Sequence, residues 1–415
     1  MTIGKKLRKS VRSARWRAMG AIGQARKGRF LGDAYAFSLP VAHSHSALSE
    51  LAAHAMTALA PGHVFIRGSS RNTHLPEGAE PADPTRLAAS GRFALWSDAP
   101  EAAGWVAGVR QDLARCAVLL LSVSRREIVE VTDLALAQGL EPVLRDEGTG
   151  GRFSLLFVSK TGLADARLSD LPARVASAVE GKGDRPQDAP DIPVLVPCFN
   201  NQTYCRTMIA QLRCHGLTDI TLLDNASTSS EMHGFLDEAG DLVTVRRLGE
   251  NLGPKKCLFA PGVYENLPRY FCVTDPDIVF NPYLPSDFIA RMIALTAEYR
   301  VGKVGFALDI SHRQFFREIT VNLLYREWNT AEWEERFWAR PIGQTRTRDR
   351  IFDAPVDTTF AVYDKEVWSP SDFTAGIRVG GRFTATHAPW YDDTSVPTSE
   401  RERYARESTA SFYRM

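Results

Sequence analysis

Short apolar segments alternate with helical patterns over residues 192–277, and this alternation constrains the fold more than any other feature. Ile192–Pro197 and Tyr270–Val273 are rich in β-branched and aromatic residues and are flanked by turn formers, which predicts two buried strands. Between them the pattern predicts a helix over 203–215 and strands over Asp219–Leu223 and Leu242–Arg246. Strands that alternate with helices are typical of an α/β sheet with parallel strands.

Polar residues follow these strands. Pro276 lacks a backbone N–H and has a fixed φ, so the strand ends before Asp275 and Asp277. Asp224 closes the second strand. Ligands bind at the carboxyl ends of strands in open α/β sheets. Paired carboxylates beside a diphosphate suit Mg²⁺ or Mn²⁺, although an acidic turn that caps the next segment is the alternative.

A dinucleotide-binding site of the NAD type would need a glycine fingerprint after the first strand. Here that turn reads Pro197-Cys198-Phe199-Asn200-Asn201. The NAD interpretation therefore lacks a required part.

Four motifs in this order resemble the nucleotide-sugar half of GT-A glycosyltransferases, most closely the family-two type. They are VPCFNN, LLDNAST, ENLGPKK and TDPD, within residues 196–277. The sequence departs from the family at Phe199, where many members have tyrosine, and it has no Glu-Asp acceptor motif in the usual form.

The resemblance implies a base pocket, a nucleoside contact, a loop that closes over the nucleotide, and a seat for the diphosphate-bound cation. The residues that it assigns to nucleotide-sugar binding are Pro197, Phe199, Asn201, Asp224, Asn251, Gly253, Lys255 and Asp275. Lys255 would act as a point charge on the diphosphate, or would be an ordinary solvated lysine.

The same resemblance extends to the C-terminal part of the chain. It implies that His387 completes a metal site with Asp275 and Asp277, so that Mn²⁺ or Mg²⁺ is the expected cofactor. Asp357 lies where inverting enzymes place a general base; Asp392 and Asp393 are alternatives, and capping of a turn is the structural interpretation.

Several further expectations concern residues 313–412. We expect a helix over 313–327, a Gly-Gly turn at 380–381 and a charged, exposed helix or tail over 398–412. Arg378 or Arg382 would pair with the diphosphate. Trp328, Trp333 and Trp338 suit either sugar stacking or packing.

The chain divides into four parts. Residues 1–30 form a basic amphipathic arm without acidic residues, which predicts contact with an anionic membrane surface, a solvated arm, a nucleic-acid contact or an organellar presequence. Residues 31–179 predict a smaller α/β module of unknown role, and the polar residues 180–191 a linker. Residues 192–415 are the expected GT-A, Rossmann-like domain with a mixed sheet.

Composition narrows the class of protein. The net charge of +1 provides no global basic field for nucleic acid, and the six cysteines form no CxxC pair, which favours reduced thiols in a cytosolic protein. The apolar runs are too short to cross a bilayer. We therefore expect a cytoplasmic protein, for which residues 1–30 offer a means of contact with the inner membrane face.

These expectations combine into metal-dependent transfer of a hexose, with inversion preferred, from a UDP- or GDP-sugar to a glycan or glycolipid hydroxyl in bacterial surface polysaccharide synthesis. The first alternative is a nucleotidyltransferase of similar fold, for which the turn after the first strand lacks a Gly-rich, basic loop. The second alternative is a non-catalytic scaffold with a decayed GT-A domain. The sequence does not identify the sugar, the nucleotide or the oligomeric state.

Overall fold

The computed structural model of the chain is described over most of the sequence. The described residues are 28, 30–59, 61–68, 78–99, 101–148, 151–181, 192–323, 326–357, 359–392 and 395–408. The predicted basic arm, apart from residues 28 and 30, the predicted linker from residue 182 to residue 191, and Asp393 lie outside them. Within these ranges, no helix is both long and apolar enough to span a membrane.

An N-terminal unit, residues 31–181, is built on a mixed sheet with strand order β2-β1-β3-β4-β6-β5 in its described part. Its strands are β1 (His63–Arg67), β2 (Glu80–Pro81), β3 (Phe93–Ser97), β4 (Cys116–Ser124), β5 (Leu140–Glu147) and β6 (Arg152–Ser159). Its helices are α1 (Leu31–Phe37), α2 (His45–Leu59), α3 (Pro84–Ala89), α4 (Ala102–Gly108), α5 (Ile128–Ala137), α6 (Lys160–Leu163) and α7 (Leu171–Glu180).

The sequence of β4 explains why helices cover both faces of this sheet. Side chains alternate between the faces of a strand. Leu119 and Leu121 pack with one apolar cluster, which includes residues of α1, α4 and α5, whereas Val118 and Leu120 pack with a second cluster that includes α2 and α7. The sequence predicts strands over His63–Arg67, Phe93–Trp96, Ala117–Ser124 and Ser154–Val158 and a helix over Glu127–Gln138, and the structure has an element of the predicted type at each position. The other helices and strands of this unit were not predicted.

The second unit, from residue 192 onwards, contains a larger mixed sheet. Its described strands have the order β15-β16-β18-β12-β17-β10-β7-β8-β9, and β11 pairs with β18. The strands are β7 (Val194–Cys198), β8 (Ile220–Asp224), β9 (Thr244–Arg247), β10 (Tyr270–Val273), β11 (Ile278–Phe280), β12 (Lys303–Leu308), β13 (Thr320–Leu323), β14 (Arg326–Asn329), β15 (Pro341–Gln344), β16 (Arg350–Phe352), β17 (Ala361–Asp364) and β18 (Ile377–His387).

The described part of this unit contains six α-helices, of which the first lies within one residue of the bounds expected at 203–215. They are α8 (Gln202–Cys214), α9 (Ser230–Ala239), α10 (Gly253–Lys256), α11 (Phe288–Tyr299), α12 (Thr330–Glu334) and α13 (Thr398–Glu407). In α8, Met208, Ile209 and Leu212 are buried, as expected for an amphipathic helix that packs on a sheet.

Two local predictions in this unit are wrong. The helix expected over 313–327 is replaced by a short 3-10 turn and by the hairpin of β13 and β14, whose β-branched residues Thr320 and Val321 favour a strand. The Gly-Gly turn expected at 380–381 is a bulge inside the long strand β18, where pairing with β12 shifts between Val379 and Thr384.

A buried charge cluster joins the two units. Glu180, the last residue of α7, accepts hydrogen bonds from Arg382 at 2.6 Å and Arg291 at 3.0 Å. Arg382 also donates to Thr347 at 2.8 Å and lies 3.4 Å from Asp349. Because Arg382 is 1% exposed, its charge depends on these acceptors.

Close backbone contact accompanies this cluster. A Cβ atom built on Gly380 would lie 2.7 Å from the carbonyl oxygen of Phe37 in α1. Thr384 donates to the carbonyl oxygen of Ser38 at 3.4 Å. The N-terminal unit is therefore packed directly against β18 of the second unit.

We expect Glu180→Ala to lower the free energy of unfolding by about 3 kcal/mol, because it leaves the buried Arg382 without its shortest acceptor. Urea unfolding followed by circular dichroism measures the change. Asp237→Ala removes one partner of the exposed pair with Arg247 and is the control, for which we expect little change. Equal effects of the two substitutions would contradict a structural role for Glu180.

Candidate functional site

Parallel pairing places the carboxyl ends of four strands at one edge of the larger sheet. Cys198 of β7 pairs with Asp224 of β8, Asp224 with Arg247 of β9, and Val273 of β10 with Leu195 of β7. The loops that follow these strands border a pocket of about 370 Å³. This edge is where the sequence predicted the site.

Of the eleven residues assigned to nucleotide-sugar binding, metal binding and the general base, ten line this pocket, and Asp224 does not. Asp392, the alternative base, is also outside the pocket wall. The predicted residues in its wall are Pro197, Phe199, Asn201, Asn251, Gly253, Lys255, Asp275, Asp277, Asp357 and His387. Asp224 is 2% exposed, and its Oδ1 accepts a hydrogen bond from the Ser227 backbone N–H at 3.1 Å. Its neighbour Asn225 lines the pocket instead.

Asparagine side chains shape the loop after β7. Asn200 has a φ of 49°, in the left-handed region that asparagine tolerates better than most residues. Its Oδ1 accepts from the backbone N–H groups of Thr228 and Ser229 at 2.9 and 3.0 Å, which ties this loop to the loop after β8. Asn201 Oδ1 accepts from the Phe199 N–H at 3.1 Å, so the turn holds Phe199 in the pocket wall.

A second asparagine turn precedes α10. Asn251 Oδ1 accepts from the Gly253 N–H at 3.0 Å, and Gly253 has a φ of 77°, which favours glycine. The chain then enters α10 with Pro254 at its start. Lys255 and Lys256 follow, and both line the pocket.

Pairing of β11 with β18 brings the second predicted carboxylate to the predicted histidine. Ile278 pairs with His387, and the Ala388 N–H donates to the Asp277 carbonyl at 2.9 Å. As a result, His387 Nε2 lies 3.7 Å from Asp277 Oδ2. Burial lowers the pKa of His387, while Asp277 acts in the opposite direction, so the neutral imidazole is favoured at pH 7.

The donor chemistry of this pair fits a divalent cation in part. In the described part of the chain, no group of three or more His, Cys, Asp or Glu side chains is arranged to hold a metal ion. Asp277 Oδ1, however, is buried and forms no hydrogen bond with the described residues. A carboxylate and a neutral imidazole leave coordination positions that phosphate oxygens of a substrate fill at many Mg²⁺ sites.

Buried cations fix the backbone that carries Asp357. Arg378 Nε donates to the Pro355 carbonyl at 2.7 Å, and Lys303 Nζ donates to the carbonyls of Val356 and Asp357 at 2.9 and 3.1 Å. Burial lowers the pKa of Lys303 to about 7, and Asp357 opposes this shift. Three successive carbonyl groups are thus held in place.

The carboxylate of Asp357 lies in the pocket wall, where Lys255 Nζ approaches its Oδ1 to 2.7 Å. Both side chains are 38% exposed, so the pair is accessible to a ligand. The carboxylates of Asp275, Asp277 and Asp357, a neutral histidine and two lysines therefore share one pocket. The pocket offers both cationic charge for a phosphate group and an anionic proton acceptor.

The proposed diphosphate contacts of Arg378 and Arg382 are wrong. Arg378 is 3% exposed and pairs with Glu334 at 2.9 Å, and Arg382 belongs to the cluster around Glu180. Neither arginine is in the pocket wall. Buried acceptors occupy the guanidinium groups of both arginines. The two arginines therefore stabilise the fold and contact no ligand in this pocket.

The three tryptophans pack against protein. Trp328 and Trp338 are 3% and 1% exposed, and the guanidinium carbon of Arg336 lies 3.5 Å from the Trp333 ring centre. Among the described residues that border the pocket there is no tryptophan. The packing interpretation holds for all three, and the sugar-stacking interpretation has no support.

The C-terminal helix α13 forms a wall of the pocket that the sequence did not predict. We expected a charged, exposed segment, yet Glu400 is 6% exposed and accepts hydrogen bonds from the Thr203 N–H at 3.1 Å and from the Thr203 hydroxyl at 2.6 Å. Glu407 Oε2 accepts from the Thr228 hydroxyl at 2.6 Å. The segment TSERERYARE contains too few apolar residues to give a periodic hydrophobic pattern. The helix is held by hydrogen bonds, which leave no such pattern in the sequence.

Other wall residues also escaped prediction. They are Tyr204, Asn225, Arg317, Ile319, Tyr391, Val396, Arg401 and Tyr404. Arg317 and Ile319 lie in the segment mispredicted as helix, so the wrong period concealed them.

We expect Glu400→Ala to accelerate hydrogen exchange in residues 398–408 by about tenfold, because hydrogen bonds to a charged acceptor contribute about 1.5–3 kcal/mol. Exchange measured by mass spectrometry tests this, with β7 and β8 expected to be unchanged. Glu402→Ala, which alters an exposed glutamate of the same helix, is the control. Faster exchange in both variants would contradict the anchoring role of Glu400.

Likenesses to known proteins are found at the level of three-dimensional structure. No family model and no curated protein matches the sequence. The chain is similar to the crystal structure of GalNAc-T7 with UDP, GalNAc and Mn²⁺, at 10% sequence identity and a TM-score of 0.31. The match covers 55% of this chain and 52% of that chain, so it spans about half of the neighbour's length. At this TM-score the likeness assigns no function to this chain, and the residues of the site are the basis for its interpretation.

Proposed function

We propose that this chain is a GT-A-type glycosyltransferase, which transfers a sugar from a UDP- or GDP-sugar to a hydroxyl group of a glycan or glycolipid. The observation that carries the proposal is the convergence of the loops after β7 and β10 with α10, Asp357 and His387 on one pocket. These segments are far apart in sequence, and each was singled out in the sequence, the loops by their motifs and Asp357 and His387 by the resemblance that those motifs carry.

Under this proposal the loops after β7 and β8 hold the nucleoside. Phe199 and Pro197 offer apolar surface to a base, and Asn201, Asn225 and Asn251 offer amide groups. A pocket with apolar walls and a few placed polar groups is typical of nucleotide sites. Asp224 contributes by fixing the backbone of Ser227, since its carboxylate is buried.

Breaking the sugar–phosphate bond leaves negative charge on the diphosphate, which cationic groups must offset. Lys255 and Lys256 supply two such charges from the pocket wall. Asp277 and His387 are the residues that would hold Mn²⁺ or Mg²⁺ together with diphosphate oxygens, and the ion would supply Lewis-acid stabilisation of the leaving group when bound. Asp275, which was expected as a further ligand, lines the same pocket but is not grouped with this pair as a three-ligand site in the described part of the chain.

Asp357 is the proposed general base. Its carboxylate accepts the proton of the acceptor hydroxyl while the hydroxyl oxygen forms a bond to the anomeric carbon. The bond between that carbon and the phosphate oxygen breaks, and its electron pair leaves with the diphosphate. Lys255 Nζ lies 2.7 Å from Asp357 Oδ1.

We expect UDP or GDP to bind wild-type protein in the presence of Mn²⁺, and Asp277→Ala to weaken that binding by at least about tenfold through loss of a charged ligand. Isothermal titration calorimetry of each nucleotide, with and without Mn²⁺, measures the affinity. Asp241→Ala is the control, since Asp241 is an exposed carboxylate at the opposite end of β9. Absence of binding by folded wild-type protein would reject the metal-dependent nucleotide site.

We expect Asp357→Asn to reduce kcat by about 10²–10⁴-fold, the usual contribution of a positioned general base, while nucleotide affinity stays close to that of wild type. Sugar transfer to a panel of glycan acceptors, followed by mass spectrometry of the products, provides the rate. Unchanged kcat would remove Asp357 from the mechanism, and lost nucleotide binding would instead indicate a role in the nucleotide site.

A further inference from the structure

The segment 312–319 runs from the N-terminal unit to the candidate site. Its first residues, 312–315, contact the N-terminal unit, and its last residues include Arg317 and Ile319 of the pocket wall. The proposed reaction involves residues of the second unit alone. The contacts of residues 312–319 link the N-terminal unit to the pocket wall.

Arg313 is held by two residues of the N-terminal unit. Its Nε donates to the Tyr35 hydroxyl oxygen at 3.0 Å, and its Nη2 donates to Asp133 Oδ2 at 3.2 Å. The Tyr35 hydroxyl itself donates to Asp133 Oδ1 at 2.6 Å. Burial and the adjacent Asp133 raise the pKa of Tyr35, so the hydroxyl remains a donor.

Flanking residues add three further contacts. Gln314 Nε2 donates to the Asp133 carbonyl at 3.1 Å. His312 Nε2 lies 2.6 Å from Glu141 Oε2, and burial lowers the pKa of His312 while Glu141 raises it, with a net rise. The ammonium group of Lys160, which pairs with Glu141, lies 5.2 Å from the Phe315 ring centre.

The next residues, 316 and 317, connect the anchored segment to the pocket wall. Phe316 forms a β-bridge with Tyr391, and the Arg317 N–H donates to the Trp390 carbonyl at 2.7 Å. The Phe316 ring lies 5.2 Å from the Trp390 ring, which in turn lies 5.1 Å from the His387 ring. Arg317 and Tyr391 both border the pocket.

We infer that the N-terminal unit is a positioning platform for one wall of the pocket, the wall formed by Arg317, Ile319 and Tyr391. Residues of α1, α5, β5 and α6 fix residues 312–315, and those residues set the positions of 316–319 and 390–391. Arg313 and Asp133 are positioning residues, since neither borders the pocket.

The substrate assignment of this wall rests on the proposed function. The loops after β7 and β8 and α10 make up the proposed nucleotide part of the pocket, so the wall on Arg317 and Tyr391 is left for the hydroxyl-bearing acceptor. Arg317 Nε lies 3.5 Å from Asp392, whose side chain is 86% exposed. Arg317 therefore presents a cation in the acceptor part of the pocket.

The experiment compares Asp133→Ala and Tyr35→Phe with Glu130→Ala, which alters an exposed residue of the same helix as Asp133. Hydrogen exchange by mass spectrometry monitors residues 312–319 and 388–392. We expect Asp133→Ala to accelerate exchange in both segments by about tenfold, because its acceptors for Arg313 and Tyr35 are lost. Tyr35→Phe removes one hydroxyl and should show a smaller increase, and Glu130→Ala none.

Transfer kinetics provide the second readout. We expect Asp133→Ala to raise the KM for the acceptor by about tenfold, with the nucleotide Kd within about twofold of wild type, since the hydrogen bonds of Asp133 go to Tyr35, Arg313 and Gln314, which do not border the pocket. Wild-type exchange rates in Asp133→Ala, or equal losses of acceptor and nucleotide affinity, would overturn the inference. If wild-type protein transfers no sugar, the proposed function fails, while hydrogen exchange still decides whether the platform exists.

Discussion

Antiparallel pairing of β11 with β18 is the interaction on which the site depends. It joins a three-residue strand directly after the Asp-Pro-Asp turn to the end of a strand more than a hundred residues later, and its register sets Ile278 opposite His387. A slip by one residue would turn every side chain of the short strand to the other face. Hydrogen bonds between backbone groups, rather than the polar side chains themselves, thus decide which two donors meet in the pocket.

The functional carboxylates differ in how they are supported. Asp275 and Asp277 take their positions from Pro276 and from the strands on either side. Asp357 lies outside regular secondary structure, and two buried cations hold its backbone in place of a strand ladder. Lys303 Nζ donates to backbone carbonyls and Arg378 pairs with Glu334, so the nearby carboxylate of Asp357 remains available to Lys255 and to a ligand.

The sequence predicted the parts of the site that follow strands with strong apolar patterns. Asp275 and Asp277 were identified because a buried strand and its terminating polar residues leave a local signal, whereas Pro197, Phe199 and Asn251 were assigned by the resemblance that the strand-end motifs carry. Three kinds of feature left none. A helix held by hydrogen bonds, such as α13, shows no periodic pattern of apolar residues. The segment 312–319, which is fixed by partners distant in sequence, shows a helical pattern although it is not an α-helix. The burial of Arg378 and Arg382 depends on acceptors remote in sequence. The sequence placed Asp224 at the correct strand end. It did not predict that the carboxylate is buried there, because burial depends on how the surrounding elements pack.

The contact between Gly380 and Phe37 bears on how such a chain can change in evolution. With no room for a Cβ atom there, α1 and β18 meet at a surface that admits one residue type on one side. The N-terminal unit therefore cannot be replaced by another fold in the way that an independent domain on a linker could be. A replacement must either reproduce the backbone path of residues 37–38 or bring a compensating change in β18, so the two units are expected to be inherited together.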